Sequence, residues 1–370
     1  MMDMRRLLAY TNHIVPSLLV LAVCLFSGCQ KSATQKVTDD LGTDYISFSG
    51  GTSDGYAVKS SDDGSTPELA TTDILKTKPF GIFGGKSYDG ETNFSSVFQT
   101  DRAQVVKWEE ATATATGKWT YEPKQKWERA MHYRFRAVWP YVERNVKANS
   151  SANLLSVTYH SLNEDYDLMV AYATRYPLDE GVGAVNLEFK HALAGLRFIV
   201  KYGDGATKDP DAITEFYLTG IYSQGQLFYG YAKADSGPEL MIWDLSEYTF
   251  NVDTPQFHWT NSKGVTEGAG IPFGGTKNTE ANVYFTKTTS GSDGAALIVP
   301  QKLSSQRGKT YVHFRTTLGG TALHTVELPE TKLEAGKIYT FTLSINKTTI
   351  TIDGKVQDWK KIYSNIDIIL

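Results

Sequence analysis

Apolar and polar residues alternate along this chain in short runs, with little of the 3.6-residue spacing of a helix. From His132 to Trp139, Tyr133, Phe135, Ala137 and Trp139 share one face, and Arg134 and Arg136 take the other. A period of two is the mark of a strand covered on one side. Val185, Leu187, Phe189 and His191 repeat it. Phe80 to Gly84 and Leu168 to Tyr172 are continuously apolar, as short buried strands are. Tyr45 to Phe48 is a short strand stopped by Gly50 and Gly51, and Lys118 to Tyr121 is another, closed by Pro123. Further strands are expected at Leu196 to Val200, Phe216 to Ile221, Val283 to Phe285, Ala295 to Val299, Tyr311 to Thr316, Thr325 to Leu328, Ile338 to Ile345 and Thr349 to Ile352. Gly, Asn, Asp or Pro punctuates nearly all of them. The expected fold class is all-β, a β-sandwich present twice in tandem, over residues 45–182 and 183–370. The break is expected in the turn-forming stretch Pro177 to Gly183.

The first residues follow a different rule. Arg5 and Arg6 precede an apolar run from Ile14 to Phe26, and Ser27 and Gly28 lead to Cys29. That order is expected of a bacterial lipoprotein signal, residues 1–28, cut so that Cys29 becomes the lipidated N-terminus. A membrane-spanning helix needs about 20 apolar residues; this run is shorter and is interrupted by Pro16 and Ser17. Residues 29–44 are polar and aperiodic, a flexible tether. The chain has 2 cysteines. With Cys24 discarded in the signal and Cys29 acylated, no thiol remains for a disulfide or a thiolate metal site. The net charge of −4 is spread along the chain without a basic cluster, which argues against a nucleic-acid partner.

Candidate chemistry is thin. Phe83-Gly84-Gly85-Lys86-Ser87 ends like a phosphate loop, but position 80 is Phe where the motif needs Gly, so a tight turn is the expectation. Gly51-Thr52-Ser53-Asp54-Gly55 has the letters of a nucleophile elbow, yet a polar loop follows where a helix is required. Glu109-Glu110 and Glu164-Asp165 offer carboxylates without evidence of facing across a cleft. His132, His160, His191, His258, His313 and His324 show no metal-ligand spacing. His191, in an apolar strand, is expected to be a hydrogen-bonded packing residue. His313 and His324 flank an expected hairpin and are candidates to meet across it. Trp108, Trp119, Trp127 and Trp139 suit either a core or a sugar-binding platform. The residues point to no metal, no cofactor and no enzymatic site.

The two ends carry sharper signals. After Trp359, the side chains of Ile362, Ile366, Ile368 and Leu370 share one face with Ser364, so residues 360–370 form a strand with one mostly apolar face that must be buried somewhere. It completes its own sandwich, or it adds to an open sheet edge of another subunit. At the other end, the strand beginning at Tyr45 precedes a long polar loop containing Lys59. A cut in that loop would free the first strand and leave a groove for a neighbour's strand.

These residues resemble the fimbrillin family, the type V pilins of Bacteroidota. The resemblance rests on the signal ending at Cys29, the aromatic strand Tyr133 to Pro140, Asp167-Leu168-Met169-Val170-Ala171, and Phe189 to Leu196. Leu297 to Gln301, Leu333 to Tyr339 and Val356-Gln357-Asp358-Trp359 extend it. It implies two transthyretin-like β-sandwich domains, export as an outer-membrane lipoprotein, and assembly with other subunits into adhesive surface fimbriae. It implies a protease cut after a basic residue, commonly Arg, and a carboxy-terminal donor strand, here Ile362 to Leu370. No Arg lies between Arg6 and Arg102, so Lys59 is the candidate cut site. The alternative expectation is a lipid-anchored surface protein that binds glycan through its tryptophans and does not polymerise.

Overall fold

Among the described residues, burying the alternating faces produces seven sheets and almost no helix. The computed structural model describes residues 44–358, apart from 53–55, 59–67, 71–72, 91–92, 100–101, 149–153, 165, 203–212, 231–239, 261–272, 278–282, 288–294, 317–322 and 346–349. Cys29, Lys59, Ser53, Trp359 and the strand candidate with Ile362, Ile366, Ile368 and Leu370 therefore lie outside the described residues, as do the signal and nearly all of the tether. Among the described residues the helices are Asp73–Lys76 and Pro177–Glu180, with one 3-10 turn at Glu143–Asn145.

The largest sheet has eight strands. Its order is Phe48–Thr52, Val185–His191, Met169–Arg175, His132–Trp139, Phe80–Ser87, Gln104–Glu109 and Lys118–Thr120, with Ser95–Ser96 beside Phe80–Ser87. The sheet rolls, so its first and last strands approach each other. Inside the roll lies an aromatic core that includes Phe80, Trp119, Trp127, Tyr133, Phe135, Trp139 and Phe189. Rings there meet edge to face, as with Trp127 and Tyr133 at 4.7 Å and Phe80 and Trp119 at 5.0 Å, the arrangement their quadrupoles favour. The tryptophans are thus core rather than an exposed platform. Trp119, Trp127 and Trp139 are buried, and Trp108 packs against them half-buried. The Trp139 indole N–H donates to the carbonyls of Leu75 and Lys78.

The second half is a two-sheet sandwich. Ala194–Tyr202 and Lys337–Ile345 run parallel at the centre of a six-stranded sheet, with Ile350–Asp358 outside them. Facing it is a four-stranded sheet in the order Gln256–Thr260, Ile213–Thr219, Tyr311–Thr316 and Leu323–Glu327. Leu196, Phe198, Phe341 and Leu343 from one sheet and Phe216, Leu218, Val312 and Phe314 from the other fill the space between.

A third core joins the halves. Another four-stranded sheet, in the order Leu240–Asp244, Gln224–Gly230, Leu154–His160 and Val146–Ala148, takes strands from both sides of the expected break. Its Leu155, Val157, Tyr159, Leu227 and Tyr229 cover Phe83, Val138, Leu168 and Val170 on the outside of the rolled sheet. Ala192, Leu193, Leu297, Val299 and Ile338, from the start of the second sandwich, complete this core. The expected break at Pro177 to Gly183 is the short helix Pro177–Glu180, and the chain beyond it re-enters the first sheet: Val185–His191 pairs with Phe48–Thr52 on one side and with Met169 and Val170 on the other.

Several expectations change. Phe83 to Ser87 is not a turn but the body of strand Phe80–Ser87. A Cβ at Gly84 would lie 2.9 Å from the Phe98 ring and 3.1 Å from Phe135, so glycine here admits packed rings, not phosphate. Lys86 pairs with Glu128, and the Ser87 hydroxyl donates to Asp89 at 2.6 Å. His313 and His324 do not meet, because the register sets them one residue out of step and on opposite faces: His313 stands opposite Thr325, and His324 opposite Phe314. His191 is hydrogen-bonded, its Nδ1 lying 2.5 Å from the Asp167 carboxylate with both side chains buried. Arg134 and Arg136, expected on an open polar face, are buried, because other parts of the chain cover that face.

Leu227→Ala removes a side chain from the joining core. It should cost about 2–5 kcal/mol, measured as a lower midpoint of chemical unfolding followed by tryptophan fluorescence. A change below about 1 kcal/mol would mean that this layer is not closely packed.

Candidate functional site: the seam closed by the first strand

The segment Asp44 to Thr52 is the stave that closes the rolled sheet. Period-two alternation turns Ile46 and Phe48 inward, and both are buried. The Phe48 ring lies 5.6 Å from Phe135, 5.7 Å from Tyr121 and 6.3 Å from Phe80. At Gly50 the inward position has no side chain, and a Cβ there would make ordinary contacts with Phe189, Trp119 and Leu75.

Each flank of the stave is held by backbone. Phe48–Thr52 runs parallel to the start of Val185–His191, from Phe48 opposite Val185 to Thr52 opposite Phe189. The Val185 amide donates to the Ser47 carbonyl at 2.9 Å. On the other flank Tyr45 bridges Lys126 antiparallel. There the Ile46 amide donates to the Gln125 carbonyl at 2.8 Å, and the Trp127 amide donates to the Asp44 carbonyl at 2.7 Å. Side-chain support is slight. The Ser49 hydroxyl donates to the Asn186 side-chain Oδ1 at 3.3 Å, and an exposed Arg129–Asp44 pair at 3.1 Å adds little. The strongest side-chain anchor is the Tyr121 hydroxyl, which donates to the Ile46 carbonyl at 2.9 Å. Burial, opposed by the Gln125 amide and reinforced by Glu122, pushes the Tyr121 phenol up to about 12, so it stays a neutral donor.

This arrangement does no bond chemistry. It offers a slot between Val185–His191 and Gln125 to Trp127, lined by backbone donors and acceptors and by pockets at alternate positions. A slot of that kind accepts a strand by register and alternation rather than by a fixed sequence. Beyond Thr52, strand Tyr56–Val58 pairs with Glu68–Ala70, on either side of the stretch that contains Lys59.

Other candidates for chemistry are weaker. An open depression of about 450 Å³ beside Gln104–Glu109 is lined by Arg102 and Lys107 together with Glu109, Glu122 and Glu143, a mixture of signs without a focused charge. Glu164 is buried, accepts from the Asn145 amide at 2.9 Å and sits 3.5 Å from Arg144, which is a structural setting. Among the described residues, no group of three or more His, Cys, Asp and Glu gathers to hold a metal. Among them also, no helix is long and apolar enough to cross a membrane.

Residues 70–359 match the profile of a family described as Fimbrillin-like. The chain belongs to that family. The fold has its likenesses among solved structures too. A fimbrial protein from Bacteroides vulgatus is 15% identical, with 85% of this fimbrillin-like chain and 99% of that one covered, at a TM-score of 0.47. The fimbrial anchor protein Mfa2 from Porphyromonas gingivalis is 7% identical, covering 85% and 97%, at a TM-score of 0.37. The tip fimbrial protein Mfa3 from the same organism, truncated at its C-terminus, is 11% identical, covering 76% and 94%, at a TM-score of 0.35. No curated protein sequence matches this chain. Family membership gives this fimbrillin-like chain a fimbrial role at the cell surface. Sequence reasoning found the first strand through the alternation of Ile46 and Phe48, but Gly50 and Gly51, expected to stop it, lie inside Phe48–Thr52, paired with Leu187 and Glu188. It missed Gln125 to Trp127 as the second flank, since three residues in a bridging loop carry no period.

Phe48→Ala should cost about 3–5 kcal/mol by opening a cavity among four rings, read as a fall in unfolding midpoint. Tyr121 predicts a pH effect with a definite sign. Its folded pKa of about 12 lies above the value near 10 of an exposed phenol, so the unfolded chain loses the proton first. Its contribution is complete below about pH 10 and falls as pH rises toward 12. Tyr121→Phe should flatten that decline in a pH series of unfolding midpoints.

Proposed function

We propose that this chain is a structural subunit or accessory of cell-surface fimbriae, without enzymatic activity, assembled by strand exchange. The observation that carries the reading is the closing stave. It is the first described strand, it fills the core with only Ile46 and Phe48, and backbone hydrogen bonds hold both its flanks. Releasing it exposes an apolar seam along Val185–His191 that only another alternating strand satisfies. The final residues have that alternation: Ile362, Ile366, Ile368 and Leu370 repeat at the inward period of Ile46 and Phe48.

In this reading the signal is cut before Cys29, lipid on Cys29 tethers the protein to the outer membrane, and a cut near Lys59 releases the first strand. The subunit then receives the carboxy-terminal strand of a neighbour, and polymers of such subunits support adhesion to a host or bacterial surface ligand. In this reading the border between the two sandwiches is drawn after His191, and the joining sheet makes them one link in a filament. Glycan binding through tryptophans has little to support it, since the four tryptophans of the first half serve the core.

Deleting residues 362–370 should abolish polymers on the cell surface while the purified monomer keeps its unfolding midpoint. A truncated protein that unfolds would assign the tail to its own sandwich. Mass spectrometry of subunits recovered from surface filaments should find a mature N-terminus near Lys59; a chain still starting at lipidated Cys29 would assign it an uncut anchoring place.

A further inference from the structure

The inward levels of the closing stave differ in size. Ile46 and Phe48 fill the first and second, and Gly50 takes the third. A Cβ built on Gly50 lies 3.6 Å from the Phe189 ring, 3.7 Å from the Trp119 Nε1 and 3.9 Å from a Leu75 methyl. All of these neighbours are buried core residues. A small side chain fits at this level, and a branched one must push into packed rings. From its start toward its end, the stave therefore reads large, large, small.

The donor strand has a single small residue on its apolar face, which reads Ile362, Ser364, Ile366, Ile368, Leu370. Laid in the direction of the stave, it brings Ser364 to the Gly50 level only by placing Lys360 at the level of Ile46, which is 1% exposed. Every other forward register puts Ile or Leu at the Gly50 level. Laid in the opposite direction, Ile368, Ile366 and Ser364 fall on the Ile46, Phe48 and Gly50 levels. No register supplies a ring for the Phe48 level, so the Gly50 level makes the choice. We infer that a second copy of this chain donates residues 362–370 in this reversed direction, with Ser364 setting the register. The inference rests on the strand-exchange reading.

Reversal improves the pairing as well as the fit. The stave runs parallel to Val185–His191. A reversed donor runs antiparallel to it, which is the slightly more stable ladder per residue. It brings Ile362, Ile366, Ile368 and Leu370 to the inward row, where the stave buries only Ile46 and Phe48. A hydroxyl carried by the Cβ at the Gly50 level reaches the Trp119 indole N–H and accepts from it. Serine thus answers both the size of that level and the nitrogen beside it.

Cysteine pairs on the outward row read direction and register in surface filaments. With Ser364 opposite Leu187, Asn365 stands opposite the exposed Asn186, and Tyr363 opposite the exposed Glu188. A forward donor exchanges these partners. Cells making the full chain with N186C and N365C should yield reducible, disulfide-linked ladders of subunits. The pair N186C and Y363C should not, because its sulfurs are displaced along the strands beyond bonding distance. Ser364→Ala should leave polymer levels unchanged, and Ser364→Leu should lower them about tenfold or more. A ladder from N186C with Y363C would overturn the direction. Filaments without a ladder from either pair, or full polymer levels with Ser364→Leu, would overturn the register and leave strand exchange standing. Failure of strand exchange itself looks different: the disulfide closes within one chain, or polymers survive deletion of residues 362–370, and the register falls with it.

Discussion

Covering both faces of one rolled sheet is the constraint on which the rest depends. A sheet with a single core can leave its outer face to water. Here Phe83, Val138, Leu168 and Val170 make the outer face apolar, so a second layer is obligatory. The chain supplies it with a sheet that takes Val146–Ala148 and Leu154–His160 from one half and Gln224–Gly230 and Leu240–Asp244 from the other. The two halves therefore share an interior through this layer.

The same covering explains two local features. Asp167 and His191 stand at the ends of the segments that lead into and out of this layer, and their buried pair ties the two together beside the hydrogen bond from the Ala192 amide to the Leu168 carbonyl. These residues lie in two of the segments that carried the family resemblance, so that resemblance records a structural joint rather than a catalytic dyad. Arg136 is the opposite case: it is buried, and among the described residues its Nε meets no acceptor.

Much of the fold was legible because strands print their burial at every second residue. His132–Trp139 and Val185–His191 stand where alternation put them, and the start of Phe80–Ser87 stands where continuous apolarity put it, though the strand runs on through the expected turn to Ser87. The joining sheet was not legible. Leu155, Val157 and Tyr159 alternate well, but Gln224-Gly225-Gln226 interrupts its partner, and periodicity says nothing of which strands will meet. The turn-rich stretch at Pro177 looked like a domain break because a turn inside a sheet and a linker share a composition. Arg134 and Arg136 looked solvated because a polar residue at an alternate position usually is; only the second layer reverses that. Of the candidate site, one flank was visible in the alternation of Ile46 and Phe48, and the other rests on three residues with no period at all.

Parallel pairing of Phe48–Thr52 with Val185–His191 also orders events in time. The Ser49 hydroxyl reaches the Asn186 side chain across 137 positions of chain. A segment near the beginning of translation thus waits for one far downstream before it docks. Closing so long a loop is slow, and until it closes the aromatic interior has an open side.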